Sequence, residues 1–229
     1  MKRQIFLDTE TTGLSAAEGD RIIEIGCVEL IDRRPTGNNF HHYLNPERES
    51  HPDALRVHGL TSEFLADKPK FAAVAQALLD YVAGAEIFIH NASFDLGFLD
   101  AELARLAGAS FATQVAGVQD TWGLAKKLYP GQQNSLDALC RRLGVDNTGR
   151  TLHGALLDAQ LLADVYIAMT RGQNSLLAND GGGGQEAVSQ RQDLSGLQLL
   201  VQPADAAELA EHAKVLDFVM ADPDRTARF

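Results

Sequence analysis

Cysteine is scarce in this sequence, with two among 229 residues, and tryptophan occurs once. Cys27 and Cys140 have no spacing that suits a metal cluster or a redox pair, which leaves zinc and thioredoxin-like chemistry without support. Cys27 lies in an apolar run and Cys140 in a helix-like one, so both read as reduced core residues of a cytoplasmic protein. No apolar run reaches the roughly 18 residues that a membrane span needs. The start, "MKRQIFLDTE", meets an acid after only three apolar residues, unlike a secretion signal. Bases are few as well: 20 Lys and Arg stand against 31 Asp and Glu, a formal charge of −11. The acidic excess lies on both sides of residue 172, which argues against a protein that holds nucleic acid by bulk attraction alone. Work on nucleic acid would need metal ions or a tethering partner to offset the repulsion.

What is present is an ordered series of elements. "RQIFLD", "RIIEIGCVELI" and "NNFHHYLNP" are β-branched or aromatic runs separated by Gly, Pro and charge clusters, and read as consecutive strands. "FAAVAQALLDYVAG" has helical spacing and ends on Gly84. "EIFIH" is a short strand, followed by the helix "SFDLGFLDAELARLAG" with Ser93 as N-cap and Gly108 as stop. "VAGVQD" reads as the last strand, and "TWGLAKKLYP", "SLDALCRRLG" and "HGALLDAQLLADVYIAMTRG" as helices. Strands first, then strands alternating with helices, indicate an α/β domain over residues 1–172. Beyond it, "NDGGGGQEAVSQRQD" has the composition of a flexible linker. "LQLLVQ" and "ADAAELAEHAKVLDFVMADP" then read as one strand and one helix, too little to build a core alone.

Four acids carry the chemistry. Residues two apart on a strand point the same way, so Asp8 and Glu10 share a face at the carboxyl end of the first strand. That is the end at which α/β sheets bind ligands. Asp95 follows the strand "EIFIH" in the first turn of the next helix, where an acid also suits the helix dipole. Asp158 lies on the apolar stripe of its helix, above Leu162 and Val165, and there a cation or donor must face it. Four acids at one sheet edge repel unless cations bind. Oxygen ligands without a Cys cluster favour Mg²⁺ or Mn²⁺ over zinc. A pair of such ions, roughly 3.5–4 Å apart, suits in-line attack at phosphorus. His153 sits just ahead of Asp158, and imidazole, with an ordinary pKa of about 6.5, suits a general base acting on water.

"DTETTG", "HNASFD" and "HGALLDA", in this order, resemble the three exonuclease motifs of the DEDD superfamily, histidine subtype. The resemblance spans residues 4–172. Within the superfamily, "FLDTETTGL", "RIIEIGCVEL", "VHGLT" and "IHNASFDLGFLDAEL" are similar to the epsilon proofreading subunits of bacterial DNA polymerase III. The resemblance implies an RNase H-like fold with a mixed five-stranded sheet flanked by helices. It implies two Mg²⁺ or Mn²⁺ ions on Asp8, Glu10, Asp95 and Asp158, His153 as base, and 3′→5′ release of nucleoside 5′-monophosphates. Thr11, Thr12 and Gly13 would hold the terminal nucleotide, Leu14 would wedge beside its base, and His58 and Phe94 would line the pocket.

The family's tail pattern implies partners. "QNSLL" resembles a sliding-clamp peptide through Gln173, Leu176 and Leu177, though it ends in Leu177 where an aromatic residue is frequent. Residues 173–196 would be clamp peptide and tether, and residues 197–229 the segment that docks on the polymerase catalytic (alpha) subunit. A small accessory, theta-like subunit is a further candidate partner. The tether, about 19 residues long, would span roughly 25 Å and give the nuclease a high local concentration at DNA without intrinsic affinity. Two rivals differ from this reading. A free-standing exonuclease trimming RNA or DNA would need no clamp peptide or tether, and a non-catalytic clamp–polymerase adaptor would not need all five catalytic positions.

Overall fold

The computed structural model describes residues 2–150 and 152–171. The expected clamp peptide, linker and docking segment lie outside the described residues. The strands are β1 (Arg3–Thr11), β2 (Ile22–Ile31), β3 (Arg34–Pro35), β4 (Phe40–Tyr43), β5 (Glu86–Ile89) and β6 (Gly117–Asp120). Five of them are the expected runs, and β3 adds a two-residue strand at the rim. The sheet order is β3-β2-β1-β5-β6, with β4 also paired to β2. β1 and β2 are antiparallel, whereas β1–β5 and β5–β6 are parallel, so the sheet is mixed.

The helices are α1 (Pro52–His58), α2 (Ser62–Leu65), α3 (Phe71–Val82), α4 (Ala92–Ala104), α5 (Thr121–Leu128), α6 (Leu136–Leu143) and α7 (Ala155–Thr170). Alternation along β1 assigns the layers. Ile5 and Leu7 pack with Val74, Leu78, Phe98 and Leu99 of α3 and α4. Phe6 points the other way, to Ala159, Leu162 and Ala163 of α7. Behind α7, Leu161, Val165 and Met169 meet Ala125, Leu139 and Cys140 of α5 and α6. Both cysteines are buried and free. Among the described residues no helix is long and apolar enough to cross a membrane.

Some local expectations need correcting. The N-cap of α4 is Asn91 in left-handed conformation (φ 69°), not Ser93, which is inside the helix. Asp120, ending β6, serves both helix starts: its Oδ1 accepts from Asn91 N at 3.0 Å ahead of α4 and from Trp122 N at 3.0 Å as the N-cap of α5. α4 also stops at Ala104, ahead of Gly108, because Ala107 turns the chain at φ 55° and Gly108 N–H returns to the Leu103 carbonyl. α1 and α2 were not expected, being short and without a long apolar period, yet α1 has Pro52 at its start and left-handed Gly59 at its end.

Candidate metal-binding active site

β1 continues past "RQIFLD" to Thr11, so Asp8 and Glu10 lie within the strand. They share parity with Phe6 and therefore face α7. Opposite Asp8 in the β1–β2 register stands Gly26, which has no side chain to hold α7 off. A Cβ on Gly26 would lie 2.2 Å from the Ala155 carbonyl carbon. This close approach lowers the first turn of α7 onto the strands and brings Asp158 to Glu10. Ligand atoms of Glu10, His153 and Asp158 all lie within 4.8 Å of one another. Asp95 arrives from the opposite layer, clamped by Thr9, whose N–H (3.1 Å) and hydroxyl (2.8 Å) both donate to Oδ1. A cavity of about 180 Å³ is lined by all four acids together with His153 and Arg150.

The acids resist ionising side by side. Burial, and then the charges of Asp95, Glu10 and Asp158, push the Asp8 carboxyl well above its ordinary range. Glu10 is pushed up to about 7, chiefly by burial, with His153 and Arg150 opposing and Asp158 and Glu24 adding to the rise. Asp95 also rises to about 7 through burial, against the hydrogen bonds from Thr9. Glu24, paired with Glu10 across the β1–β2 ladder, is buried and contacts His41 Nε2 at 2.7 Å. Carboxylates forced together in this way, with only oxygen donors and one imidazole, fit hard divalent cations.

Asp158 is the exception: burial would raise it, but hydrogen bonding and charge, carried by the Arg150 guanidinium on both of its oxygens, hold it below its ordinary value. Arg150 is the stronger partner by geometry. Its Nε lies 2.5 Å from Oδ1 and its Nη2 2.5 Å from Oδ2. His153 Nδ1 lies 3.4 Å from Oδ2 and already accepts from Arg150 Nη2 at 2.7 Å, so it has no hydrogen for Asp158. The cation or donor expected opposite Asp158 is thus supplied within the chain, by Arg150. Arg150 has no signal in the sequence, because the described residues around it, Asn147–Arg150, are a loop without periodicity. That loop is pinned by His153 N–H to the Val57 carbonyl (3.1 Å), and Leu152 packs against Gly59.

The expected nucleotide-binding residues divide. Leu14 is 86% exposed, projecting from the turn after β1. Phe94 lines the acid-bearing cavity and also a groove of about 450 Å³ shared with Leu14, so Phe94 borders both spaces. The Thr11 and Thr12 hydroxyls are turned inward, to the Gly13 carbonyl (2.6 Å) and to Asp20 (3.0 Å). Both hydroxyls thereby shape the turn. Gly13 is packed against Asp20 and His51, where a Cβ would meet Asp20 Oδ2 at 2.3 Å. His58 is buried, lines neither of these cavities, and accepts from Leu60 N–H through Nδ1 at 2.9 Å. Its Nε2 has no partner among the described residues. Gln173, Leu176 and Leu177 lie outside the described residues.

The mixed sheet with acids on its first strand and on the two helices that flank it defines an RNase H-like nuclease. Comparison with known proteins narrows the class. A family model described as exonuclease matches residues 5–166. DNA polymerase III subunit epsilon of Pasteurella multocida is 58% identical over 178 residues, covering 76% of this chain and 70% of that protein. The subunit of the same name from Salmonella typhimurium is 53% identical over 226 residues, covering 95% and 93%. That from Escherichia coli is 51% identical over 226 residues, with the same coverage. Among solved structures, exonuclease X in complex with 5′-overhanging duplex DNA is 30% identical with a TM-score of 0.59, covering 76% of this chain and 93% of that one. Exonuclease I of Escherichia coli bound to a dT13 oligonucleotide, 18% identical with a TM-score of 0.67 over 78% of this chain and 43% of that one, shares the fold. The chain belongs to the exonuclease family and, within it, to the DNA polymerase III epsilon subunits. The exonuclease family is generally dependent on divalent metal.

Proposed function

We propose that this chain is the 3′→5′ proofreading exonuclease of a bacterial replicative polymerase. It removes mismatched 3′-terminal nucleotides through Asp8, Glu10, Asp95, Asp158 and His153. The observation that carries the reading is the convergence of those residues on one cavity, with Glu10, His153 and Asp158 within 4.8 Å of one another. Two divalent ions, Mg²⁺ or Mn²⁺, held by the four carboxylates would supply charge stabilisation at the scissile phosphate and an acidified water. The chain's own residues do the rest. Thr9 fixes Asp95, Gly26 lets α7 bring in Asp158, and His153 accepts a proton from the attacking water. Leu14, at the groove it shares with Phe94, separates the terminal base from its neighbour. The turn Thr11–Gly13, braced on Asp20, holds the nucleotide by its backbone.

The partners are DNA and the polymerase complex. Within that complex, residues 173–177 would bind the sliding clamp, residues 197–229 the catalytic subunit, and a theta-like subunit the nuclease domain 1–172. The acidic composition supports tethering, since little of the DNA affinity can come from net charge. Deleting residues 178–229 is expected to leave activity on short single strands and abolish co-purification with the polymerase. Retained polymerase binding would overturn the docking assignment.

The substrate is tested with labelled single-stranded DNA, 3′-mismatched duplex and RNA. Faster metal-dependent release of nucleoside 5′-monophosphates from frayed DNA ends is expected. A strong preference for RNA, or activity surviving chelation, would contradict the reading.

A further inference from the structure

Arg150 engages the candidate site more fully than any other basic side chain described there. Its side chain is only 7% exposed, and its donors reach two residues of the site and one acid beside it. Nε and Nη2 take both oxygens of Asp158 at 2.5 Å, Nη2 also meets His153 Nδ1 at 2.7 Å, and Nη1 reaches Asp137 Oδ1 at 2.7 Å. We propose that Arg150 is a positioning residue that acts as the site's internal counter-cation: it restrains Asp158 and His153 together and must release both before a divalent ion can use Asp158. This inference rests on the reading of the four acids as metal ligands and concerns what controls them.

Three features carry it. First, the fork geometry takes both carboxylate oxygens with charge-assisted hydrogen bonds, so a guanidinium and a divalent ion compete for the same atoms and repel each other. Second, a guanidinium only donates, so His153 Nδ1 is an acceptor beside it and the neutral ring carries its hydrogen on Nε2. Neither ring nitrogen is then free to take a proton from water. Release of Arg150 returns a lone pair to His153 when it returns the oxygens to Asp158, so metal entry and activation of the base are coupled. Third, Arg150 has somewhere to go. Asp137 on α6 is half-exposed, with its side chain 42% accessible, and is also bonded by Asn147 from the same loop at 3.1 Å. It offers an anchor outside the group of acids.

The test is Mn²⁺ binding to the full chain by calorimetry, with melting temperature in chelator as a second readout. Arg150→Met keeps the aliphatic stem and removes the charge. It is expected to bind Mn²⁺ about tenfold more tightly than wild type and to melt lower in chelator, since Asp158 then faces the other acids alone. Its gain in melting temperature on adding Mn²⁺ is expected to exceed that of wild type. Asp137→Asn, which removes the second anchor, is expected to shift affinity the other way and serves if the Met variant does not fold. An affinity unchanged or weakened in Arg150→Met, with wild type binding Mn²⁺ normally, would overturn this inference alone. So would unchanged affinity in Asp137→Asn. Absence of Mn²⁺ binding in wild type would overturn the metal-site reading itself, and this inference with it.

Discussion

Gly26 on β2 and Ala155 at the start of α7 are in such close approach that a methyl group on Gly26 would sit 2.2 Å from the Ala155 carbonyl carbon. Since Asp158 follows in the first turn of α7, the position of one metal-ligand candidate is set by the absence of a side chain on another strand. Gly26→Ala is expected to push α7 off the sheet, costing about 1–3 kcal/mol of stability. Exonuclease activity should fall by more than that loss of folded protein explains, as measured on samples held well below their melting temperature. A variant with normal activity would show that α7 can move without displacing Asp158.

Thr9 fixes Asp95 through two hydrogen bonds, one of which depends on its hydroxyl. Thr9→Val keeps the shape and the backbone donor but leaves Asp95 with less compensation. The loss is expected to be on the order of 1 kcal/mol, or roughly tenfold in metal affinity or turnover. Metal titrations of both proteins at constant pH check it, and identical titrations would remove Thr9 from the account.

Stability should depend on pH in an unusual direction when divalent ions are chelated. Glu10 rises to about 7 from an ordinary 4.5, and Asp95 to about 7 from 3.8. The folded chain therefore holds more protons than the unfolded one through this range. The associated stability is present below about pH 4 and is lost as pH rises through about 7, on the order of 3 kcal/mol for Glu10. Asp158, held low, works in the opposite sense and weakens the fold only on acidification below its ordinary range. Melting temperature in chelator is expected to fall from pH 5 to pH 8, and added Mg²⁺ or Mn²⁺ to restore it at the upper end. A curve that rises across that window would contradict the burial argument.

His153 is half-exposed and its loop is held by the Val57 carbonyl, so its side chain can be altered without opening the core. His153→Ala is expected to slow turnover by about 10²–10⁴-fold while leaving the melting temperature and most metal binding intact. Single-turnover rates with saturating metal measure this, and an unchanged rate would remove the assignment as base.

Much of this architecture was legible in the sequence, for definite reasons. The period of two on β1 put Asp8 and Glu10 on one face, and the contacts of Phe6 identify that face as the one covered by α7. The helical stripe around Asp158 required a compensating cation or donor. Its identity as Arg150 was not legible, because a loop arginine gains its meaning only from where the chain returns. Glu24 and Asp20 were hidden for the same reason, being buried acids whose partners, His41 and the Thr12 hydroxyl, are brought up by the fold. The threonines of "DTETTG" were legible as a turn, but not that both hydroxyls would be spent within it.

The central claim is that the acids on β1, α4 and α7 form one metal-dependent centre acting at a DNA 3′ end. The most direct measurement is the rate of 3′-terminal nucleotide release from a mismatched primer in Mg²⁺, for wild type and for Asp8→Asn, Asp95→Asn and Asp158→Asn proteins shown to be folded. The account expects each variant to lose nearly all activity, with wild-type activity abolished by chelator and restored by metal. Any one of these folded variants retaining wild-type rates would contradict a single shared centre.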